Sequence, residues 1–308
     1  MNLRVCFLGR PAAGSFQARA VQVAACREGW SAASAFGPEL VLAHDLFVFV
    51  KWAAPRPMHL LRGLGKRVVF DLLDGWEQPA DDRRVRDLGG ARALYHARWG
   101  EVPADAVIYA TRAMQEDLEA LFPPGRVIYH HFRPGLEPVA LRETPRLVGY
   151  EGEERYLGPW RGELERACRA VGLTFVVNPP DLRQVDLGVA ARGGDHDGWL
   201  SRRYKSNVKL ANLYGAGIPA LVQAEAEAYR ETACAGQPTF STPAELRSAL
   251  AALLPLPARR RLQEAQLAAR PSFALPRIAA EYEALFAQLT STASASCADG
   301  RRTARSGG

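Results

Sequence analysis

Lysine is nearly missing from this chain: of its 39 basic residues only four are lysine, at positions 51, 66, 205 and 209. Cysteine is sparse as well. Cys6, Cys26, Cys168, Cys234 and Cys297 lie far apart with no CxxC spacing, which argues against a disulfide-stapled scaffold or a zinc ribbon and fits a reducing compartment. Long hydrophobic runs are also lacking. The longest, Leu40 to Trp52, contains His44, Asp45 and Lys51, which a bilayer core would penalise. The apolar stretch Val5 to Leu8 is too short for a secretory signal, so a soluble cytoplasmic protein is expected. Nor does one sign of charge dominate. The 39 basic and 33 acidic residues leave a net charge of +6, spread and interleaved, which permits an anionic ligand but disfavours a nucleic-acid-binding stripe. Serine-hydrolase elbow, zinc-ligand and kinase patterns are absent.

What is present is enough apolar material for two cores: 48% of 308 residues. Short β-branched and aromatic runs alternate with amphipathic stretches, the order expected of a parallel sheet covered on both faces. The first half predicts strands at 3–8, 46–50, 67–73, 106–109 and 127–130, with helices at 15–27, 57–64, 81–98 and 112–122. Prolines and glycines at 133–145 predict a linker. Alternation then resumes, with strands at 146–150, 174–177, 186–190 and 220–222 and helices at 160–171, 207–214 and 243–254. A basic helix at 258–269 and an amphipathic helix at 275–289 follow. Beyond Thr290 the composition collapses to Ser, Thr, Ala, Gly and Arg, predicting a disordered tail over 291–308 whose arginines allow a weak peripheral membrane contact. The expected fold class is α/β, with two Rossmann-like doubly wound domains facing across a cleft.

The segment from Tyr204 to Val222 is the most informative. It places two of the rare lysines, Lys205 and Lys209, four residues apart at a helix start, where that spacing puts both amines on one face. Ser206 and Asn207 are suitable N-caps, and Gly215 and Gly217 close the helix before a buried strand. Free N–H groups plus two cations suit a phosphate or diphosphate; the same features also describe an ordinary solvated helix end. The turn Gly9-Arg10-Pro11-Ala12-Ala13-Gly14-Ser15 can bring backbone N–H groups, Gly14 and Arg10 near a donor, or can be a plain βα connection.

Lys209-Leu210-Ala211-Asn212-Leu213-Tyr214-Gly215-Ala216-Gly217-Ile218-Pro219-Ala220-Leu221-Val222 resembles the segment of GT-B glycosyltransferases, particularly of the family 4 type, that reads Lys-Leu, a variable residue, Glu-Ala, a variable pair ending in Ala-Gly, then Pro-Val-Val. In that family the segment lines the nucleotide-sugar site. The family's carboxylate, which commonly holds the donor ribose, falls on Asn212, an amide that keeps hydrogen-bonding capacity but loses the charge. Four further fragments are similar to family segments in the family's order: Phe70 to Trp76, Ala104 to Thr111, Val127 to Gly135 and Leu147 to Gly152. The resemblance implies a division into 1–138 as the acceptor-side domain, 139–272 as the nucleotide-sugar domain, and 273–290 as a helix packing back on the first domain. It also implies retention of anomeric configuration and closure of the cleft around the substrates.

On this reading the donor is a nucleotide-diphosphate sugar held by Lys205, Ser206, Asn207, Lys209, Asn212, Arg192, Gly14 and Arg10. An unidentified hydroxyl acceptor would face Asp74, His44 and His131, since a carboxylate at a strand's carboxyl end can orient or deprotonate a hydroxyl. No cofactor is called for. Asp195-His196-Asp197 matches an Asp-x-Asp pattern that can hold a divalent metal, yet its glycine-rich setting reads equally as a solvated turn, and cations with a helix dipole can serve the leaving group without metal. Two rivals stand beside the transferase: a non-catalytic nucleotide-sugar or anion-binding protein, and a metal-dependent transferase using Asp195 and Asp197.

Overall fold

A computed structural model describes residues 3–51 and 54–303, with side chains as far as Ser291. Two fully parallel sheets organise the chain. The first contains β1 (Val5–Leu8), β2 (Trp30–Ala33), β3 (Leu46–Val50), β4 (Arg67–Asp71), β5 (Ala106–Tyr109) and β6 (Gly125–Val127), in the order β2-β1-β3-β4-β5-β6. The second contains β7 (Leu147–Tyr150), β8 (Thr174–Val177), β9 (Leu187–Ala190), β10 (Ala220–Gln223) and β11 (Thr239–Phe240), in the order β11-β10-β9-β7-β8. Each sheet therefore has one place where the strand order reverses, between β1 and β3 and between β7 and β9. Ligand crevices form there, beyond the carboxyl ends of the strands.

The short apolar runs become strands because both faces are buried. Val5 and Phe7 enter one core while Cys6 and Leu8 enter the other, the two-residue alternation of a pleated strand. One face of the first sheet is covered by the last helix, through Ile278, Tyr282 and Phe286. The other face receives Trp199, Leu200 and Tyr204, which come from the second half of the chain.

Several elements depart from the sequence expectation. β2 and the helix Pro38–Ala43 lie where no element was anticipated, since Trp30–Ala33 is short and carries two small alanines and a serine. The helix expected at 15–27 is Gly14–Phe16 continued by wide π-helical turns over Gln17–Gln22, and the helix expected at 81–98 is broken at Val85. Trp199–Tyr204 is a helix in its own right, separate from Val208–Gly215. The last helix, Leu275–Thr303, runs past the point where a tail was expected; the stretch beyond that point carries alanines and no proline, and its one glycine, Gly300, lies near the helix end. Side chains of that tail beyond Ser291, and residues 304–308 altogether, lie outside the described residues. Among the described residues no helix is long and apolar enough to cross a membrane.

The halves are joined by buried polar contacts as well as apolar ones. Asp82 accepts from Trp76 Nε1 at 3.0 Å and from the backbone N–H and hydroxyl of Ser201, each at 2.9 Å. Asp117 accepts from Arg203 at 2.7 and 3.0 Å and from the Tyr204 hydroxyl at 3.1 Å. Glu231 returns the favour from the second half, accepting from the N–H groups of Arg112 and Ala113 at the start of the helix Arg112–Leu118. A carboxylate is favourable at such a helix start.

Candidate functional site

Three non-glycine residues adopt a left-handed backbone among the described residues, Lys51 (φ 61°), Asp74 (φ 48°) and Asn178 (φ 49°), and all three follow the carboxyl ends of strands β3, β4 and β8. Such conformations cost about 1–3 kcal/mol each and persist where surrounding structure imposes them, commonly at binding sites. Lys51 and Asp74 line a cavity of about 540 Å³ between the halves, and Asn178 supports its wall by accepting from the Gly152 N–H at 2.8 Å. The first half contributes Ala12 to Ser15, Lys51, Asp74 and Trp76; the second contributes Gly152, Glu153, Tyr156, Arg192, Lys205, Ser206 and Lys209. Residues from both switch points thus meet in one space: the turn after β1 with Lys51 after β3, and Gly152 after β7 with Arg192 after β9.

The electrostatics of this cavity are dominated by basic side chains. Asp74 Oδ2 holds Lys205 at 2.8 Å and Lys51 at 3.6 Å, while its Oδ1 is buried without a hydrogen-bond partner. Burial pushes the Asp74 carboxyl up, but Lys205 and Lys51 outweigh it and hold the group below the usual carboxylate range. Burial pulls Lys205 down to about 8, against the opposing pull of Asp74 and with the help of Arg192. Lys209 is pushed far below an ordinary lysine, first by burial and then by Arg192. Its amine donates to the Glu151 carbonyl and lies 4.1 Å from the centre of the Tyr150 ring. Arg192 is only 7% exposed, and its Nε and Nη1 find no hydrogen-bond partner; the guanidinium instead lies 5.3 Å from the Tyr156 ring centre. Four basic side chains thus face one cavity whose lining carboxylates are Asp74 and Glu153, an arrangement whose electrostatics favour a polyanion.

Local sequence explains how the cations are aimed. Gly188 lets the helix Val208–Gly215 lie close on β9, since a Cβ there would overlap Leu213. Gly152, at φ +137°, leaves the room that the Lys209 amine occupies. The helix Val208–Gly215 begins at Asn207 without a side-chain cap, so its first N–H groups are not answered by the residue placed to answer them.

The structure brings Asp74, Lys205, Ser206, Lys209, Arg192 and Gly14 together around this cavity. The two lysines do so from different elements, because Lys205 sits in the break after Trp199–Tyr204 and not on the helix face shared with Lys209. Other expected residues lie elsewhere. His44 stands before β3, at the opposite end of the first sheet, where its ring meets Ser31 at 2.8 Å and the Leu40 carbonyl at 3.0 Å. His131 turns onto Gln22 at 2.7 Å; His130 is the histidine within electrostatic reach of Asp74 and Lys205. Asn207 is fully buried and clamps the first half, its Oδ1 accepting from the His130 N–H at 2.8 Å, so it neither caps its helix nor faces the cavity. Asn212 accepts from the Arg133 N–H at 2.9 Å and donates to Glu151 at 3.0 Å, outside the cationic cavity. Arg10 lines a neighbouring cavity instead. Asp195 pairs with Arg83, while Asp197 pairs with Arg202 at 2.9 Å, so the two carboxylates serve different arginines. Lys51, Trp76, Gly152 and Tyr156 were not singled out in the sequence. For Lys51 the rarity of lysine is the signal, because three of the four lysines in the chain line this cavity.

No protein-family model matches the chain, and no curated protein matches it in sequence. Solved structures do share its fold. It is similar to Anabaena HepE, crystallised in complex with UDP and glucose, at 13% identity and a TM-score of 0.61 over 93% of this chain and 100% of that one. It is similar to α,α-trehalose 6-phosphate synthase from Burkholderia multivorans at 12% identity and a TM-score of 0.63 over 100% of both chains. The pneumococcal O-GlcNAc transferase GtfA, in complex with UDP and GlcNAc, aligns at 10% identity and a TM-score of 0.53 over 80% of this chain and 57% of that one. The fold is the two-domain GT-B architecture of glycosyltransferases.

Proposed function

We propose that this protein is a glycosyltransferase that moves a sugar from a nucleotide-diphosphate donor to a hydroxyl acceptor. The observation that carries the reading is the convergence of Lys51, Arg192, Lys205 and Lys209 on one cavity at both switch points, with two guanidinium nitrogens of Arg192 buried and unpartnered. A donor diphosphate supplies acceptor oxygens that Arg192 lacks and adds charge-assisted partners for the lysines. As the bond from the anomeric carbon to the diphosphate breaks, negative charge grows on the leaving phosphate. Cations already fixed in place stabilise that charge more than the ground state, and so lower the barrier.

Asp74, held ionised by its two lysines, is suited to orient the acceptor hydroxyl through its free Oδ1 and to keep Lys205 and Lys51 in place. It is poorly suited to remove a proton early. Retention of configuration follows the family 4 resemblance, and a metal-independent route follows the availability of these cations for the leaving group. The division into an acceptor-side half, a donor-side half and a returning last helix belongs to the same reading.

The test is a thermal-shift and hydrolysis screen with nucleotides and nucleotide sugars. Nucleoside diphosphates should raise the melting temperature by mass action, and one sugar nucleotide should release free nucleotide slowly in the absence of acceptor. Binding of the panel without turnover under any acceptor assigns the protein to the non-catalytic class. Absence of any nucleotide effect refutes the reading.

A further inference from the structure

Beside the cationic cavity lies a second one, of about 480 Å³, that shares Ala13, Ser15, Lys51, Asp74 and Trp76 with it. Its walls are Phe16, Val50, Trp76 and Trp99. Both indole N–H groups are already committed: Trp76 donates to Asp82 at 3.0 Å and Trp99 to the Gly75 carbonyl at 2.8 Å. Arg98 is likewise held, 2.8 Å from Asp81. Apart from the Ser15 hydroxyl, the walls therefore offer ring faces and methyl groups. A saccharide can stack a C–H face on one such ring, but the hydroxyls around its edge would meet few free donors or acceptors between opposing aromatic walls. Charged groups stand instead at the two ends, with exposed Arg10 and Glu77 toward solvent and the Lys51–Asp74 pair, shared with the cationic cavity, at the inner end.

The inner end sets the chemistry. Asp74 Oδ1 is buried and free to accept an O–H, and Lys51 Nζ stands 3.6 Å from Oδ2. With its carboxyl held low by two lysines, Asp74 is a weak base. An aliphatic hydroxyl beside it stays protonated. A phenolic hydroxyl ionises near pH ~10 in water; the Lys51 and Lys205 ammonium groups favour its anion and outnumber the Asp74 carboxylate that opposes it.

We propose that this aromatic cavity is the acceptor subsite and that it takes a phenol, its ring against Trp76, Trp99 and Phe16 and its hydroxyl between Asp74 and Lys51. The assignment rests on the sugar-transfer reading above. In the step it implies, the phenol oxygen forms a bond to the anomeric carbon while the bond from that carbon to the diphosphate breaks. The electron pair of the broken bond stays on the departing nucleoside diphosphate, and the phenolic proton passes to solvent.

The probe is 4-nitrophenol, whose absorbance distinguishes phenol from phenolate, titrated into the full chain with and without UDP at a pH about one unit below its solution pKa. Saturable binding with growth of the phenolate band is expected, unaffected by equimolar glucose. Trp99→Leu should weaken probe binding about tenfold or more, a loss of about 1.4 kcal/mol, while the UDP-induced melting shift is kept. Lys51→Met, at a half-exposed position, should keep probe binding and lose the phenolate band. Glucose binding in place of the probe, or probe binding that neither variant alters, overturns the phenol subsite. Probe binding with no UDP effect supports the subsite and refutes the donor reading, so the two failures are distinguishable.

Discussion

Replacing Arg192 with methionine should make the protein more stable and less able to bind nucleotide. In the free protein the guanidinium is almost wholly buried, and Nε and Nη1 have no hydrogen-bond partner. Each such orphan costs about 1–3 kcal/mol relative to water. Methionine fills similar space without donors, and the hydrogen bond from the residue 192 backbone N–H to Gln223, at 2.8 Å, does not depend on the side chain. Against the gain stand the contact with the Tyr156 ring, worth about 0.5–2 kcal/mol, and the interaction with the buried Tyr229 hydroxyl. The net expectation is a gain of about 1–3 kcal/mol in the free protein, a rise of about 2–6 °C for a chain of this size. Binding moves the other way. A charge-assisted hydrogen bond to phosphate contributes about 1.5–3 kcal/mol, so UDP affinity should fall about 10- to 100-fold. Thermal unfolding with and without UDP, together with calorimetric titration, reads both changes. A variant that melts lower than the parent and binds UDP equally well would show Arg192 to be a structural residue and refute the reasoning.

Lys205, pulled down to about 8, is charged below that pH and neutral above it. A bound diphosphate favours the charged amine, so UDP affinity should fall about tenfold from pH 7 to pH 9 and binding near pH 8 should take up about half a proton. Titrations in buffers of different ionisation enthalpy measure this, and Lys205→Met should flatten the profile. Gly152→Ala places a methyl where the Lys209 amine lies, at a φ unfavourable for alanine; it should remove most UDP affinity, seen as loss of the UDP-induced melting shift. Asn207→Ala leaves the buried His130 N–H without a partner and should lower the denaturant midpoint by the equivalent of about 1–3 kcal/mol, measured by urea unfolding.

The alternation of buried runs was enough to place eight of the eleven strands, because strands covered on both faces are written as continuous apolar stretches, while the strand expected at 127–130 meets β6 only at Val127, since Gly125 and Arg126 carry no apolar signal. The two left out, Trp30–Ala33 and Thr239–Phe240, are sheet edges whose short or small-residue sequences lack that signature. Within the site, rarity was the readable signal for lysine. Orientation was not readable. Asn207 looks like a helix cap and is a clamp on His130, because the partner lies 77 residues away in the chain. His130 and His131 are indistinguishable in sequence, yet Gln22 on the π-helical turns captures only His131. Asp195 and Asp197 form a metal-like pattern in the sequence, while in the structure each is held by a different arginine, Arg83 and Arg202.

The placement of Trp199, Leu200 and Tyr204 in the first half's core has a practical meaning for anyone wishing to recombine this protein with a relative. A chimera spliced at the linker would transplant the second half together with a plug fitted to one particular first half, so grafts must carry that plug's receptor, Trp76 and Tyr95 included, or exchange the plug itself.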